Sequence, residues 1–149
     1  MIVGDLCSRD VVTVAAKAGL VEAAQTMRTR HVGFLVVTDD GAVNGIPVGV
    51  LTDRDVVIEV VSKGIDPLDL TAGDVMSRDP LVVAVDARPE HALKQMRIFG
   101  VRRTPITDAQ GRLVGVLALD DLLDWLAGTL ADAAGVVRRE QRLERQLRA

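Results

Sequence analysis

The sequence predicts an α+β fold made of two β-α-β-β-α units in tandem, followed by a C-terminal helix. Three observations lead there. First, the chain repeats itself. Shifted by 69 places, Asp5, Ser8, Arg9 and Asp10 fall on Asp74, Ser77, Arg78 and Asp79. In the same register Met27-Arg28 meets Met96-Arg97, Val32 meets Val101, and Thr38-Asp39 meets Thr107-Asp108. Three extra residues around Asn44-Gly45-Ile46-Pro47 then reset the offset to 66, so that Val48-Gly49-Val50-Leu51 meets Val114-Gly115-Val116-Leu117. Second, both halves show the same succession of short β-branched runs and helically spaced apolar residues. Third, the chain has 149 residues, 48% of them hydrophobic. Halves of roughly 70 residues are marginal alone, so they must pack on each other or on another chain.

The elements follow in order. Val11 to Val14 and Leu81 to Val85 read as first strands. Leu20 to Arg30 carries Leu20, Ala23, Ala24 and Met27 at helical spacing. Pro89 to Phe99 does the same with Ala92, Leu93 and Met96, and Pro89 suits a first helical turn because its missing N–H would be unpaired there. Phe34 to Thr38 and Thr104 to Thr107 are second strands, closed by the turns Asp39-Asp40-Gly41 and Asp108-Ala109-Gln110-Gly111. Val48 to Leu51 and Leu113 to Leu117 are apolar third strands, buried by their continuity. Asp53 to Ser62 and Leu119 to Leu130 are second helices. In the linker, Gly64 closes a helix and Pro67 stops its continuation. These elements divide the chain at 1–66, 67–130 and a helical tail, 131–149. In the tail Val136, Leu143 and Leu147 lie near one side, and Glu144 precedes Arg148 in the favourable order. It reads equally as a dimer-packing helix or as a frayed, charged end.

Composition narrows the function. Net charge is −3, which gives no support for nucleic-acid binding. The arginines of the tail are interleaved with Glu140 and Glu144. Three aromatic residues, Phe34, Phe99 and Trp125, do not make a stacking platform. One cysteine, Cys7, cannot form an internal disulfide and points to a reducing, cytoplasmic setting. No apolar run is long enough for a bilayer, so no membrane partner is expected. There is no phosphate-cradling Walker sequence, no metal-spaced His/Cys cluster and no nucleophile elbow. The sequence therefore offers no catalytic residues and no metal site. Cys7 reads as a small core residue. His31 reads as structural or as a phosphate contact.

One stretch carries chemistry: Gly49-Val50-Leu51-Thr52-Asp53-Arg54-Asp55. Thr52 and Asp55 at a strand-to-helix junction resemble a capping box. The same two side chains sit at a helix N-terminus, with its free N–H groups and partial positive charge. There a carboxylate can accept two hydrogen bonds from a vicinal diol such as a ribose, and Val50 can flank a base. Cap and ligand site are both open readings of these residues.

The duplicated unit, the Gly49 to Asp55 stretch, Val101-Arg102-Arg103-Thr104-Pro105-Ile106-Thr107-Asp108 and Asp74-Val75-Met76-Ser77 together resemble the CBS domain pair, or Bateman module. The likeness covers about residues 2 to 128 and extends to small stand-alone bacterial CBS-pair proteins. It implies a pseudo-two-fold pair with two clefts between the repeats, a homodimer of pairs, and a non-enzymatic regulatory role as an energy or stress sensor. It implies an adenine nucleotide (AMP, ADP or ATP) as ligand, with no metal required. Thr52 and Asp55 would hold the ribose, Val50 and the segment Ser77 to Val82, including Leu81, would line the adenine, and Arg102 would meet the phosphate of either cleft, with Val101 beside it among the binding residues. S-adenosylmethionine, or a scaffold without a nucleotide and an effector protein as partner, are the alternatives. The second copy departs from the pattern. Ala118 replaces the motif threonine, leaving Asp121 without its hydroxyl, and Gly33 stands where Arg102 stands in the other half. The Asp55 cleft is therefore expected to be the better one.

Overall fold

The computed structural model describes residues 1–149. Helix α1 (Val3–Leu6), strand β1 (Thr13–Ala15), helix α2 (Leu20–Arg30), strands β2 (Phe34–Thr38) and β3 (Pro47–Thr52) and helix α3 (Asp53–Val56) make the first half. Helix α4 (Ala72–Val75), strands β4 (Ser77–Arg78) and β5 (Val83–Ala84), helix α5 (Pro89–Phe99), strands β6 (Arg103–Thr107) and β7 (Leu113–Ala118) and helix α6 (Leu119–Arg148) make the second. A single 3-10 turn, Pro67–Asp69, lies between them, with Asp66 accepting from the Leu68 N–H at 2.9 Å.

The two sheets are built alike. In the first, β1 runs parallel to β2, and β2 antiparallel to β3. In the second, β5 runs parallel to β6, and β6 antiparallel to β7. Leu20, Leu35, Val37 and Leu51 fill the first core, and Ala92, Ile106, Leu117 and Leu122 the second. A third, smaller cluster of Val11, Val36 and Leu113, with Phe34 and Val116 against it, joins the halves.

The opening segments are exchanged between the halves. Val3, fully buried, belongs to the second core, and Ala72 and Met76 belong to the first. The Val3 and Gly4 N–H groups donate to the carbonyls of Ala87 and Val85, each at 2.8 Å. One repeat later, Ala72 and Gly73 donate to Ala18 and Ala16, also at 2.8 Å. As a result β4 is the fourth strand of the first sheet, paired with Gly49 and Val50, while Ser8 bridges to Val116 in the second. Four-residue helices leave no periodicity to read, and the exchange has no local signature, so neither was expected. Thr71 and Asp74 cap α4 reciprocally, and the Thr71 N–H and hydroxyl hold the Asp74 carboxyl below its ordinary value.

Three other expectations are revised. The first strands lie slightly later and are shorter than Val11 to Val14 and Leu81 to Val85, because Val11 is drawn into the cluster between the halves. The helix expected over Asp53 to Ser62 is α-helical for one turn and then π-helical over Val57–Val61. Five of the six residues from Val56 to Val61 are β-branched, a type that crowds an α-helical turn, and the wider turn brings Val60 into the first core. The third concerns α6, which does not end near Leu130. It continues unbroken for 30 residues to Arg148, carried through Gly128 and Gly135 by the alanines around them.

Candidate functional site

Strand β3 ends and α3 begins at Thr52, whose backbone is extended (φ −112°, ψ 159°). The Asp55 N–H donates to Thr52 Oγ1 at 3.1 Å, and the Thr52 N–H donates to Asp55 Oδ2 at 2.9 Å. The capping box is therefore formed. It does not exhaust either side chain. The Thr52 hydroxyl still has its proton to donate, and Asp55 Oδ1 makes no bond within the chain. Cap and ligand contact are compatible: one oxygen of Asp55 holds the helix and the other remains free to accept.

These groups line a cleft of about 560 Å³ between the halves, within the usual range for small-molecule sites. One wall is Val50, Thr52, Asp53, Arg54 and Asp55. A second is the exchanged segment Ser77 to Leu81, and a third runs from Phe99 to Arg103 with Pro105. Asp79 takes a left-handed conformation (φ 47°), which aspartate tolerates better than most residues, and this turn feeds Leu81 into the cleft.

Of the residues expected from the sequence, Val50, Thr52, Asp55, Ser77, Leu81, Val101 and Arg102 all lie along this cleft. Val82 does not. Successive side chains of an extended segment point to opposite sides, so with Leu81 inward Val82 faces a separate depression beside Pro47, Val48 and Met76. Asp121 lies in the other cleft. Arg102 reaches Asp120 at 3.7 Å, with both side chains mostly exposed. Such a loose pair is worth little and can be given up for a phosphate, which an arginine pairs bidentately.

Arg102 lines only the Asp55 cleft. The residues common to both clefts are Gly33, Phe34 and Arg103. The Arg103 guanidinium carbon stands 6.0 Å from the centre of the Phe34 ring, a cation–π distance. Neither residue was expected at the site, although the repeat contains the signal: Phe34 and Arg103 are equivalent under the shift of 69. Each opens the second strand of its half, so the pseudo-two-fold relation brings them face to face.

The second cleft is smaller, about 330 Å³, and is lined by Ser8, Val11, His31, Val116, Ala118 and Asp121 among others. Asp121 Oδ2 accepts from the Ala118 N–H at 2.8 Å, but the reciprocal bond is missing because alanine has no hydroxyl. Gly33, the counterpart of Arg102 under the shift of 69, stands close against the Asp53 side chain. A Cβ there would lie 2.6 Å from Asp53 Oδ2. His31 closes α2 in the left-handed region (φ 54°), as Gly100 closes α5 (φ 67°). Cys7 is half-buried beneath Gly115, and burial pushes its thiol pKa up. Replacing Ala118 with threonine should complete the second capping box and stabilise the chain by about 1 kcal/mol. That corresponds to a rise of ~2–4 °C in Tm by calorimetry. An unchanged or lowered Tm would mean that the hydroxyl cannot reach the Asp121 N–H.

No group of three or more His, Cys, Asp or Glu side chains is gathered to hold a metal ion. No helix is long and apolar enough to cross a membrane.

Comparison with known proteins places this architecture. The family model described as CBS domain matches twice, over residues 3–62 and 72–128. An uncharacterized protein of Methanopyrus kandleri is 37% identical over 133 residues, covering 87% of this chain and 66% of that protein. Hypoxic response protein 1 of Mycobacterium tuberculosis is 34% identical, over 79% of this chain and 80% of its own length. A crystal structure of hypoxic response protein I with two coordinated zinc ions superposes with a TM-score of 0.72 at 31% identity, covering 83% of this chain and 98% of that one. A CBS domain protein of Pyrobaculum aerophilum, complexed with AMP, superposes with a TM-score of 0.72 at 27% identity, over 86% and 99% of the two chains. Inosine-5'-monophosphate dehydrogenase of Methanocaldococcus jannaschii is matched over only 21% of its length, at 34% identity. The chain spans less than two thirds of some relatives and nearly all of others, and with the CBS domain model matched in both of its halves it belongs to the CBS-domain family.

Proposed function

We propose that the chain is a non-catalytic regulatory module that binds an adenine nucleotide in the cleft between its repeats and signals through their packing. One observation carries the reading. At the wall of that cleft Thr52 keeps a proton to donate and Asp55 keeps a free carboxylate oxygen. A ribose offers a matching diol. The apolar surface of Val50, Leu81 and Pro80 suits a base, and Arg102 and Arg103 suit a phosphate. The AMP complex of the Pyrobaculum aerophilum relative supports the choice of ligand.

Nothing in this arrangement requires bond breaking. A ligand that touches both halves favours the packing it fits better, by the difference in its affinities for the two arrangements. The readout passes to a second copy of the chain or to an effector protein. The lone Cys7 supports a reducing, cytoplasmic setting.

The test is a thermal-shift and calorimetric panel of AMP, ADP, ATP and S-adenosylmethionine on wild type, Asp55→Asn and Asp121→Asn. A nucleotide at 100 times its dissociation constant adds about 2.7 kcal/mol of stability. We expect one adenine nucleotide to do so, Asp55→Asn to weaken it at least tenfold, and Asp121→Asn to leave it nearly unchanged. No heat and no shift with any member of the panel, in protein stripped of carried-over nucleotide, would leave Thr52 and Asp55 as a helix cap alone.

A further inference from the structure

Beyond Trp125, α6 leaves the body of the protein. From Leu126 to its end every residue is exposed except the partly covered Gly135. Leu130, Val136 and Leu147 are 73%, 68% and 86% exposed. Gly128 and Gly135 both weaken a helix interior, and most helical stability in proteins comes from packing an apolar face. This arm offers such a face with nothing against it.

The face has a definite period. Starting at Leu122, seam positions recur at alternating steps of four and three, the heptad spacing of a left-handed coiled coil. Leu126, Ala133 and Leu147 hold one position of the heptad, together with Glu140. Val136 and Leu143 hold the other, together with Thr129, while Leu122 itself is buried in the second core and stays outside the free face. Charge is divided along the same helix. Asp120, Asp121, Asp124 and Asp132 stand in its first half with no lysine or arginine, whereas five arginines and two glutamates stand beyond Val137.

We propose that the α6 arm pairs with the α6 arm of a second copy as an antiparallel coiled coil, centred between Ala134 and Gly135. Antiparallel pairing sets the two seam positions opposite each other. In this register Leu126 meets Leu143 of the other copy, Ala133 meets Val136, and the two polar seam residues, Thr129 and Glu140, meet each other. A threonine hydroxyl can donate to that carboxylate. Beside the seam, Asp132 falls opposite Arg139, and Leu130 opposite Val137; the two-fold relation makes each contact twice. Neither Asp132 nor Arg139 has an ion-pair partner within its own chain. The parallel alternative stacks Glu140 on Glu140 and sets acidic half against acidic half, basic against basic. Charge and seam chemistry thus select the antiparallel second copy. The pairing is independent of any nucleotide.

Sedimentation velocity on the full chain tests it. We expect a dimer whose dissociation constant rises tenfold or more in Arg139→Asp, where two aspartates would face each other. The exchange Asp132→Arg/Arg139→Asp should restore it. These positions are exposed, so circular dichroism should show the fold unchanged. In a Cys7→Ser background, a mixture of the Ala133→Cys and Val136→Cys proteins should form a disulfide-linked heterodimer on oxidation, with neither linking to itself. A monomeric wild type, a dimer indifferent to Arg139→Asp, or self-linking of the Val136→Cys protein would each overturn the proposal. The second outcome would place the dimer on another face, and the third would make the arms parallel.

Discussion

Val3→Asp should lower the unfolding midpoint of this protein by ~6 °C or more, and the loss should be visible in the fluorescence of Trp125. Val3 stands 122 residues before the one tryptophan, yet the two share a core. Val3 is fully buried among Val83, Ala92, Ile106 and Leu117, and Trp125 packs against the same cluster. A carboxylate at Val3 would be buried with no cation beside it, a change that costs more than about 3 kcal/mol. For a chain of this length each kcal/mol moves Tm by ~2–4 °C. The control is Leu68→Asp. Leu68 is 77% exposed, and Leu68→Asp should change little. If Val3→Asp left the Trp125 transition in place, α1 would not belong to the second half.

That exchange of opening segments also explains which parts of the molecule were legible in its sequence. Leu20 to Arg30 and Pro89 to Phe99 were expected as helices, and α2 and α5 have those bounds. Both are long enough for a periodic apolar face, and both end where the chain turns left-handed, at His31 and Gly100. Phe34 to Thr38 was equally plain, because a buried run of β-branched and apolar residues between Gly33 and Asp39 has one good solution. The structure departs from expectation where a tertiary partner decides. Val11 leaves its strand for a cluster between the halves, and α1 and α4 exist because each has the other half to lie on.

The site divides along the same line. Thr52 and Asp55 could be found because their chemistry is local: three residues apart at a strand-to-helix junction, they meet whatever the rest of the fold does. Val82 could not be told from Leu81 without knowing which way the extended segment turns at Asp79. Arg103 is not distinguished from its neighbour Arg102 by the sequence alone for a related reason. Only the pseudo-two-fold relation sets Arg103 against Phe34 and between the clefts, and that relation is a property of the assembled pair.

Gly49→Val should damage stability and nucleotide binding together, although it leaves Thr52 and Asp55 untouched. Gly49 is the point where β3 meets the exchanged strand. A Cβ there would stand 2.4 Å from Met76 Sδ and 2.9 Å from the Ser77 carbonyl oxygen. The sulfur can move; the carbonyl belongs to β4, which pairs with Gly49 and Val50 through Arg78 and Ser77. A valine must therefore push β4 away from β3. Overpacking of this kind costs typically 1–3 kcal/mol, and the loss of strand pairing adds to it. The displaced segment is also the second wall of the Asp55 cleft, from Ser77 to Leu81. Binding should fall at least tenfold in calorimetry, and the ligand-induced shift in Tm should shrink with it. Gly115→Val is the matched comparison. It collides with Ser8 and Cys7 at 2.6 and 2.8 Å, but those residues border the second half, so a comparable loss of stability should leave the Asp55 cleft its affinity. If Gly49→Val bound nucleotide as the wild type does, the cleft would not depend on the exchanged strand, and the ligand would rest on the β3–α3 junction and the wall from Phe99 to Arg103 alone.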